Sequence, residues 1–243
     1  MTQYDALSDL PMVSFQDERA ESSYPSCVVS FSGKQQECCV CCIDIVGSTK
    51  VAAGLGDKNA GRYYEIFLNS VATIASNFGA IIIKNVGDSL LYYFPRVSDP
   101  HVDKRVALDD ALQSSVVMAD ARAAINARMA KEGLPPVSYR ISSDYGSVYV
   151  AKSFTSNIED LFGSTMNLCA KLNSRARPNG IVIGKCLYDI VSGFEGYSFV
   201  EAGEYALDAS GQAYRFYELQ GKSDTKAINP FRRTGRLGRM SAA

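Results

Sequence analysis

At 243 residues, with 47% hydrophobic residues and a mean hydropathy of −0.06, the chain can bury one substantial core with extensions. No apolar run reaches the roughly 18 residues that span a bilayer, and the first 14 residues have neither the basic start nor the apolar centre of a secretory signal, so a cytoplasmic protein is expected. The net charge of −1 hides an asymmetry: residues 222–243 carry six basic side chains and one acid, a +5 tail beside −6 for the rest, and short glycine-interrupted tails of this kind are ordinarily solvated rather than bound to nucleic acid.

Residues 1–36 are rich in Ser, Asp, Gln and Pro without helical or strand periodicity, the pattern of an arm preceding a domain. A strand is predicted over 38–45, then a helix over 57–78 with Tyr63, Tyr64, Phe67, Val71, Ile74 and Phe78 near i, i+3/i+4 spacing. Residues 80–86 and 90–94 form two strands around a tight turn holding Gly87 and Asp88. An Ala-rich helix over 102–131 is stopped by Gly133, Pro135 and Pro136. A second hairpin is predicted from 137–145 and 147–152, with its turn at Gly146. A helix over 164–175, a strand over 181–183, a short helix over 185–191 and strands over 197–205 and 213–219 complete the pattern. The order β-α-β-β-α-β is that of an α+β, ferredoxin-like core with extra C-terminal strands and helices, a domain over 37–221 followed by a flexible basic tail over 222–243.

Four of the seven cysteines crowd into Cys38, Cys39, Cys41 and Cys42. In a strand their sulfurs alternate between faces, whereas a zinc site needs thiolates converging from a turn. They are expected as small apolar residues of a doubly buried strand in a reducing compartment. The lone His101 lies in a polar loop and is expected at the surface.

Two carboxylates carry the chemistry. Asp44 closes the first strand and Asp88 sits in the hairpin turn, and in a ferredoxin-like fold these two tips are neighbours. Each acid alone suits a turn or a helix cap, but two uncompensated carboxylates at one edge repel, and divalent ions explain the pair better. Gly47, Ser48 and Thr49 follow Asp44 at a helix start, where Gly47 permits close backbone approach and free N–H groups can receive phosphate oxygens.

Such acid pairs serve polymerase palms, diguanylate cyclases and class III nucleotide cyclases. The turn Val86-Gly87-Asp88-Ser89-Leu90 is not the Gly-Gly-Asp/Glu-Glu-Phe of a diguanylate cyclase, and residues for polymerase thumb and fingers are lacking. Over about residues 37–219 the chain closely resembles a class III adenylyl/guanylyl cyclase catalytic domain. The resemblance rests on Asp44-Ile45-Val46-Gly47-Ser48-Thr49, Lys84-Asn85-Val86-Gly87-Asp88, Arg140-Ile141-Ser142-Ser143-Asp144-Tyr145-Gly146 and Asp160-Leu161-Phe162-Gly163-Ser164-Thr165-Met166-Asn167, in this order.

The resemblance implies a phosphorus–oxygen lyase that turns a nucleoside triphosphate into a 3′,5′-cyclic nucleotide and pyrophosphate. It implies two Mg2+ or Mn2+ ions on Asp44, Asp88 and the Ile45 carbonyl, phosphate contacts from Arg140, base reading by Lys84 and Asp160, and ribose orientation by Asn167. Where the family usually has a transition-state arginine four residues after that asparagine, this chain has Lys171, which keeps the charge but loses the planar fork. The segment 208–215 shows no counterpart of the family lysine that reaches the terminal phosphates. Because the family builds each site from two chains, a homodimer with shared sites is implied. The Lys84/Asp160 pair suits the ring nitrogen and exocyclic amine of adenine and favours ATP; the compact stand-alone architecture equally resembles the pyrimidine cyclases of bacterial anti-phage defence, which use UTP or CTP. A non-catalytic nucleotide-binding or dimerisation module is the reading from another class.

Overall fold

The computed structural model describes residues 29–95, 99–153, 159–206 and 213–221; most of the expected arm, and the basic tail, lie outside the described residues. In chain order the elements are β1 (Val29–Ile45), α1 (Ser48–Leu55), α2 (Asp57–Asn77), β2 (Ile81–Val86), β3 (Ser89–Phe94), α3 (Lys104–Lys131), β4 (Tyr139–Ser153), β5 (Glu159–Phe162), α4 (Ser164–Asn173), β6 (Ile181–Gly184), α5 (Lys185–Val191), β7 (Ser198–Ala206) and β8 (Ala213–Gln220). They build one 8-stranded sheet in the order β2-β3-β1-β4-β6-β8-β7, with β5 paired to β4 off this path. The run β1-α2-β2-β3-α3-β4, with β1 between β3 and β4, is the ferredoxin-like unit the sequence pattern predicts.

The period-2 alternation of a strand explains the cysteine cluster. Cys39, Cys41, Ile43 and Ile45 point into the core made with Tyr63, Phe67 and Val71 of α2 and Leu108, Met118 and Ile125 of α3. Cys38, Val40 and Cys42 point to the opposite face, against Met166 and Cys169 of α4. The sulfurs thus diverge, and burial pushes the thiols of Cys38 and Cys42 up to about 12, so they stay protonated and behave as small core groups.

Two expectations about elements are corrected. β1 begins at Val29, so residues 29–36, expected as part of an arm without strand structure, extend the strand toward β4. Gly146 is not a turn: β4 is one strand of 15 residues, Gly146 pairs with Cys38, and the hairpin partner of β4 is β5, with Tyr149 opposite Phe162. The glycine answers a packing demand, because a Cβ there would lie 2.6 Å from Thr165 Oγ1 of α4. Glycine absent of a turn signal and glycine in a turn look alike in sequence. By contrast Gly133, with φ of 70°, ends the chain's longest helix as expected.

Candidate active site

Asp44 sits at the last pairs of β1, opposite Ser89 of β3 and Arg140 of β4. Register partners share a face, and Cys42 two residues earlier packs on the α4 side, so Asp44 and Arg140 face that side as well. Ser89 Oγ donates to Asp44 Oδ1 at 2.6 Å. Asp88 follows Gly87, whose φ of 61° lets a two-residue turn join β2 to β3. Half-burial pushes the Asp44 carboxyl above its ordinary range; the Asp88 charge and a hydrogen bond between the two carboxyls push the same way, while Ser89 and Arg140 oppose them. Asp88 is thus close enough to act on Asp44, and two acids at one strand edge favour a cation between them. Their oxygens, with the backbone carbonyl of Ile45, are hard donors that could hold Mg2+ or Mn2+. The Ile45 side chain itself is core.

Arg140 Nε is buried without a hydrogen-bond partner among the described residues, an unspent donor on the residue opposite Asp44. α1 begins one residue past Gly47, which adopts φ 69° and ψ 26° as its N-cap. Its first turn contains no acid, so the N–H groups near Ser48 and Thr49 remain open to an anion.

Lys84 reaches Asp160 across the sheet edge, Nζ to Oδ2 at 2.5 Å. A register shift lies between Ile82 and Lys84: Lys84 falls opposite Leu91, which packs on the α4 side, whereas Ile82 falls opposite Tyr92 in the other core.

Asn167 and Lys171 lie on α4, exposed and four residues apart. Lys171 Nζ stands 5.4 Å from the ring centre of Tyr205. Among the described residues no hydrogen bond or ion pair joins Asn167 or Lys171 to Asp44, Asp88 or Arg140. Of the segment 208–215, residues 208–212 lie outside the described residues, and Arg215 is engaged with Glu204 at 3.2 Å.

Two buried polar residues were given no role from the sequence. Asn173, 2% exposed, donates through Nδ2 to the carbonyls of Cys42 at 2.9 Å and Arg140 at 3.1 Å, tying α4 to the strand ends that carry Asp44 and Arg140. Its signal was faint: an amide at the i+4 position from the buried Cys169. Asp144, 1% exposed, accepts from Tyr214 Oη at 2.8 Å, Tyr145 N at 2.8 Å and Leu187 N at 3.3 Å. Burial lifts its carboxyl to about 6 in spite of those donors.

The family described as Adenylate and Guanylate cyclase catalytic domain matches residues 31–221. A cytidylate cyclase of Staphylococcus aureus is 27% identical over 164 residues, 63% of this chain and 37% of that protein. An adenylate cyclase of Streptomyces griseus is 26% identical over 140 residues, 58% of this chain and 29% of that protein. The chain thus spans about a third of the length of these curated relatives. Among solved structures, the adenylyl cyclase CyaB from P. aeruginosa superposes with a TM-score of 0.66 at 20% identity, covering 77% of this chain and 96% of that one. The guanylyl cyclase Cya2 gives 0.68 at 20% identity, covering 81% and 98%. With a family match across most of the chain and this fold beneath it, the chain belongs to the class III nucleotide cyclases, the adenylate and guanylate cyclase catalytic domains.

Proposed function

We propose that this chain acts as a homodimeric nucleotide cyclase, converting a nucleoside triphosphate to its 3′,5′-cyclic monophosphate and pyrophosphate. The observation that carries this reading is the closeness of Asp88 to Asp44, whose proton affinity it raises, with Arg140 opposite Asp44 in register and the Lys84–Asp160 pair also formed. In the reaction the ribose 3′-oxygen bonds to the α-phosphorus, the bond from that phosphorus to the β-phosphate oxygen breaks, pyrophosphate leaves with its electrons, and the 3′-hydroxyl gives up its proton. Two divalent cations, when bound, would lower the pKa of that hydroxyl and neutralise the triphosphate. Asp44 and Asp88 would hold them, with the Ile45 carbonyl. Arg140 and the N–H groups near Gly47, Ser48 and Thr49 would receive phosphate oxygens. Asn167 would orient the ribose, and Lys171 would meet the negative charge growing at phosphorus.

Lys84 and Asp160 set the base. A lysine donor beside a carboxylate acceptor matches a ring nitrogen flanked by an exocyclic amine, the edge shared by adenine and cytosine, whereas guanine and uracil present N–H and carbonyl there. This pair favours ATP. CTP is the second reading, supported by the same edge and by the named cytidylate cyclase relative, and it would carry with it a role in anti-phage signalling; UTP fits the pair less well. Purified protein with Mn2+ and each of ATP, GTP, CTP and UTP, followed by separation of products, tests both. Cyclic AMP or cyclic CMP is expected. Asp44→Ala and Asp88→Ala should each lower turnover by about a thousandfold or more. Activity within tenfold of the parent would remove the two-metal reading, and nucleotide binding without any cyclic product would leave a non-catalytic dimerisation module in its place.

A further inference from the structure

Most cations around α4 and the β7/β8 hairpin are cancelled by acids. Arg177 pairs with Glu218, Arg215 with Glu204 at 3.2 Å, and Lys185 with Asp189 at 2.5 Å. Lys171 and Arg175, four residues apart, have no ion pair among the described residues. Both instead lie against one aromatic ring, that of Tyr205 on β7: Lys171 Nζ at 5.4 Å and the Arg175 guanidinium carbon at 5.9 Å from its centre. The ring is half-buried against the cluster of Leu172, Ala176, Val182 and Phe216, so its face is fixed.

Like charges held on one ring repel each other. The negative end of the α4 dipole offsets part of that, but Arg177 lies close by and still takes an acid. A ring face attracts a cation without neutralising it. The arrangement therefore holds two exposed, uncancelled positive charges in fixed relation at the end of β7, and what fits is an anion bearing several charges. Lysine offers a point charge and arginine a planar two-donor fork.

We propose that Lys171, Arg175 and the Tyr205 ring form one oligophosphate clamp, in which Arg175 grips the pyrophosphate part of the substrate while Lys171 serves the transferring phosphorus. This rests on the reading above that the substrate is a nucleoside triphosphate. It gives Arg175 the bidentate contact that lysine at 171 cannot make. Tyr205 is a positioning residue that keeps the two cations side by side.

The test is calorimetric binding of inorganic pyrophosphate and of tripolyphosphate, in Mg2+, to the full chain, together with cyclase kinetics. Arg175→Ala should weaken pyrophosphate binding and raise KM for the triphosphate by about tenfold or more, with a smaller change in kcat. Arg175→Lys should recover part of the loss. Tyr205→Phe, which keeps the ring, should bind as the parent does, and Tyr205→Leu should resemble Arg175→Ala. Arg177→Ala, already engaged with Glu218, should leave binding unchanged. Pyrophosphate affinity untouched by Arg175→Ala, or lost equally in Arg177→Ala, would overturn the clamp. If the parent makes cyclic product and Arg175→Ala changes neither KM nor pyrophosphate inhibition, the clamp fails and the cyclase stands; if pyrophosphate binding depends on Arg175 but no cyclic product forms, the clamp stands and the cyclase reading fails.

Discussion

Lysine at position 171 concentrates the chemistry peculiar to this chain. Its ammonium is exposed and rests on Tyr205 without a carboxylate partner among the described residues, so it is free to answer negative charge that grows only as phosphorus is attacked. Lys171→Ala should therefore depress kcat far more than it raises KM, by roughly a hundredfold if the group acts like a single oxyanion donor. Lys171→Arg should keep or raise activity, because a planar donor can bridge two oxygens. Steady-state kinetics on the two variants decide the matter: an unchanged kcat in the alanine variant would transfer the role to Arg140 or Arg175.

At the scale of elements, β4 joins the layers of the molecule, and two of its residues show how. Gly146 lets α4 approach: a Cβ there would meet Thr165 Oγ1 at 2.6 Å, and Thr165 cannot swing away freely because that hydroxyl donates to Ser147 O at 3.0 Å. Gly146→Ala should cost about 1–3 kcal/mol, typical of an overpacked core. Adding Thr165→Ala should return part of it, as read from urea midpoints. Asp144 is held beneath Gly184, where an added Cβ would fall 2.3 Å from the carboxylate, and it faces Tyr214, Tyr145 and the start of α5. Its carboxyl is raised from 3.8 to about 6, so the fold prefers the protonated form. That preference stabilises the protein below the unfolded value and disappears as pH rises through about 6. Asp144→Asn has no charge to bury. Relative to the parent it should gain stability between pH 4 and pH 7, by up to about 3 kcal/mol, and denaturant unfolding at several pH values would show a flat difference if Asp144 were solvated instead.

At the scale of the whole molecule, the proposed oligomer makes a test of its own. Asp44 and Asp88 lie at the β1 and β2–β3 tips, and Lys171 lies on α4 beside Tyr205 of β7, with no bond between the two sets among the described residues. A second copy is proposed to bring the two sets together. Asp44→Ala and Lys171→Ala proteins, each strongly impaired alone, should then regain activity on mixing, since a mixed dimer holds one site with both defects and one with neither. Recovery toward about half the parent's sites per heterodimer follows from two-fold symmetry. Subunit exchange without recovered activity would place each site within one chain.

The ferredoxin-like order and the place of both acids were legible in the sequence, because strand alternation and helical spacing are local and Asp44 and Asp88 mark the ends of apolar runs. The even and odd cysteines of 38–42 fell on the two faces that period 2 dictates. Helix ends at Gly133 were equally local. What the tertiary structure decided were matters of contact between distant segments. Gly146 carries no mark that separates a turn from a close approach to Thr165, 19 residues on. The Lys84–Asp160 pair and the bulge before Lys84 both depend on how distant strands meet, invisible in either strand alone. Asn173 and Asp144 are ordinary polar letters until burial removes water and leaves Cys42, Arg140, Tyr214 and Leu187 as their partners. Local periodicity places residues on elements; only packing decides which of their polar groups meet.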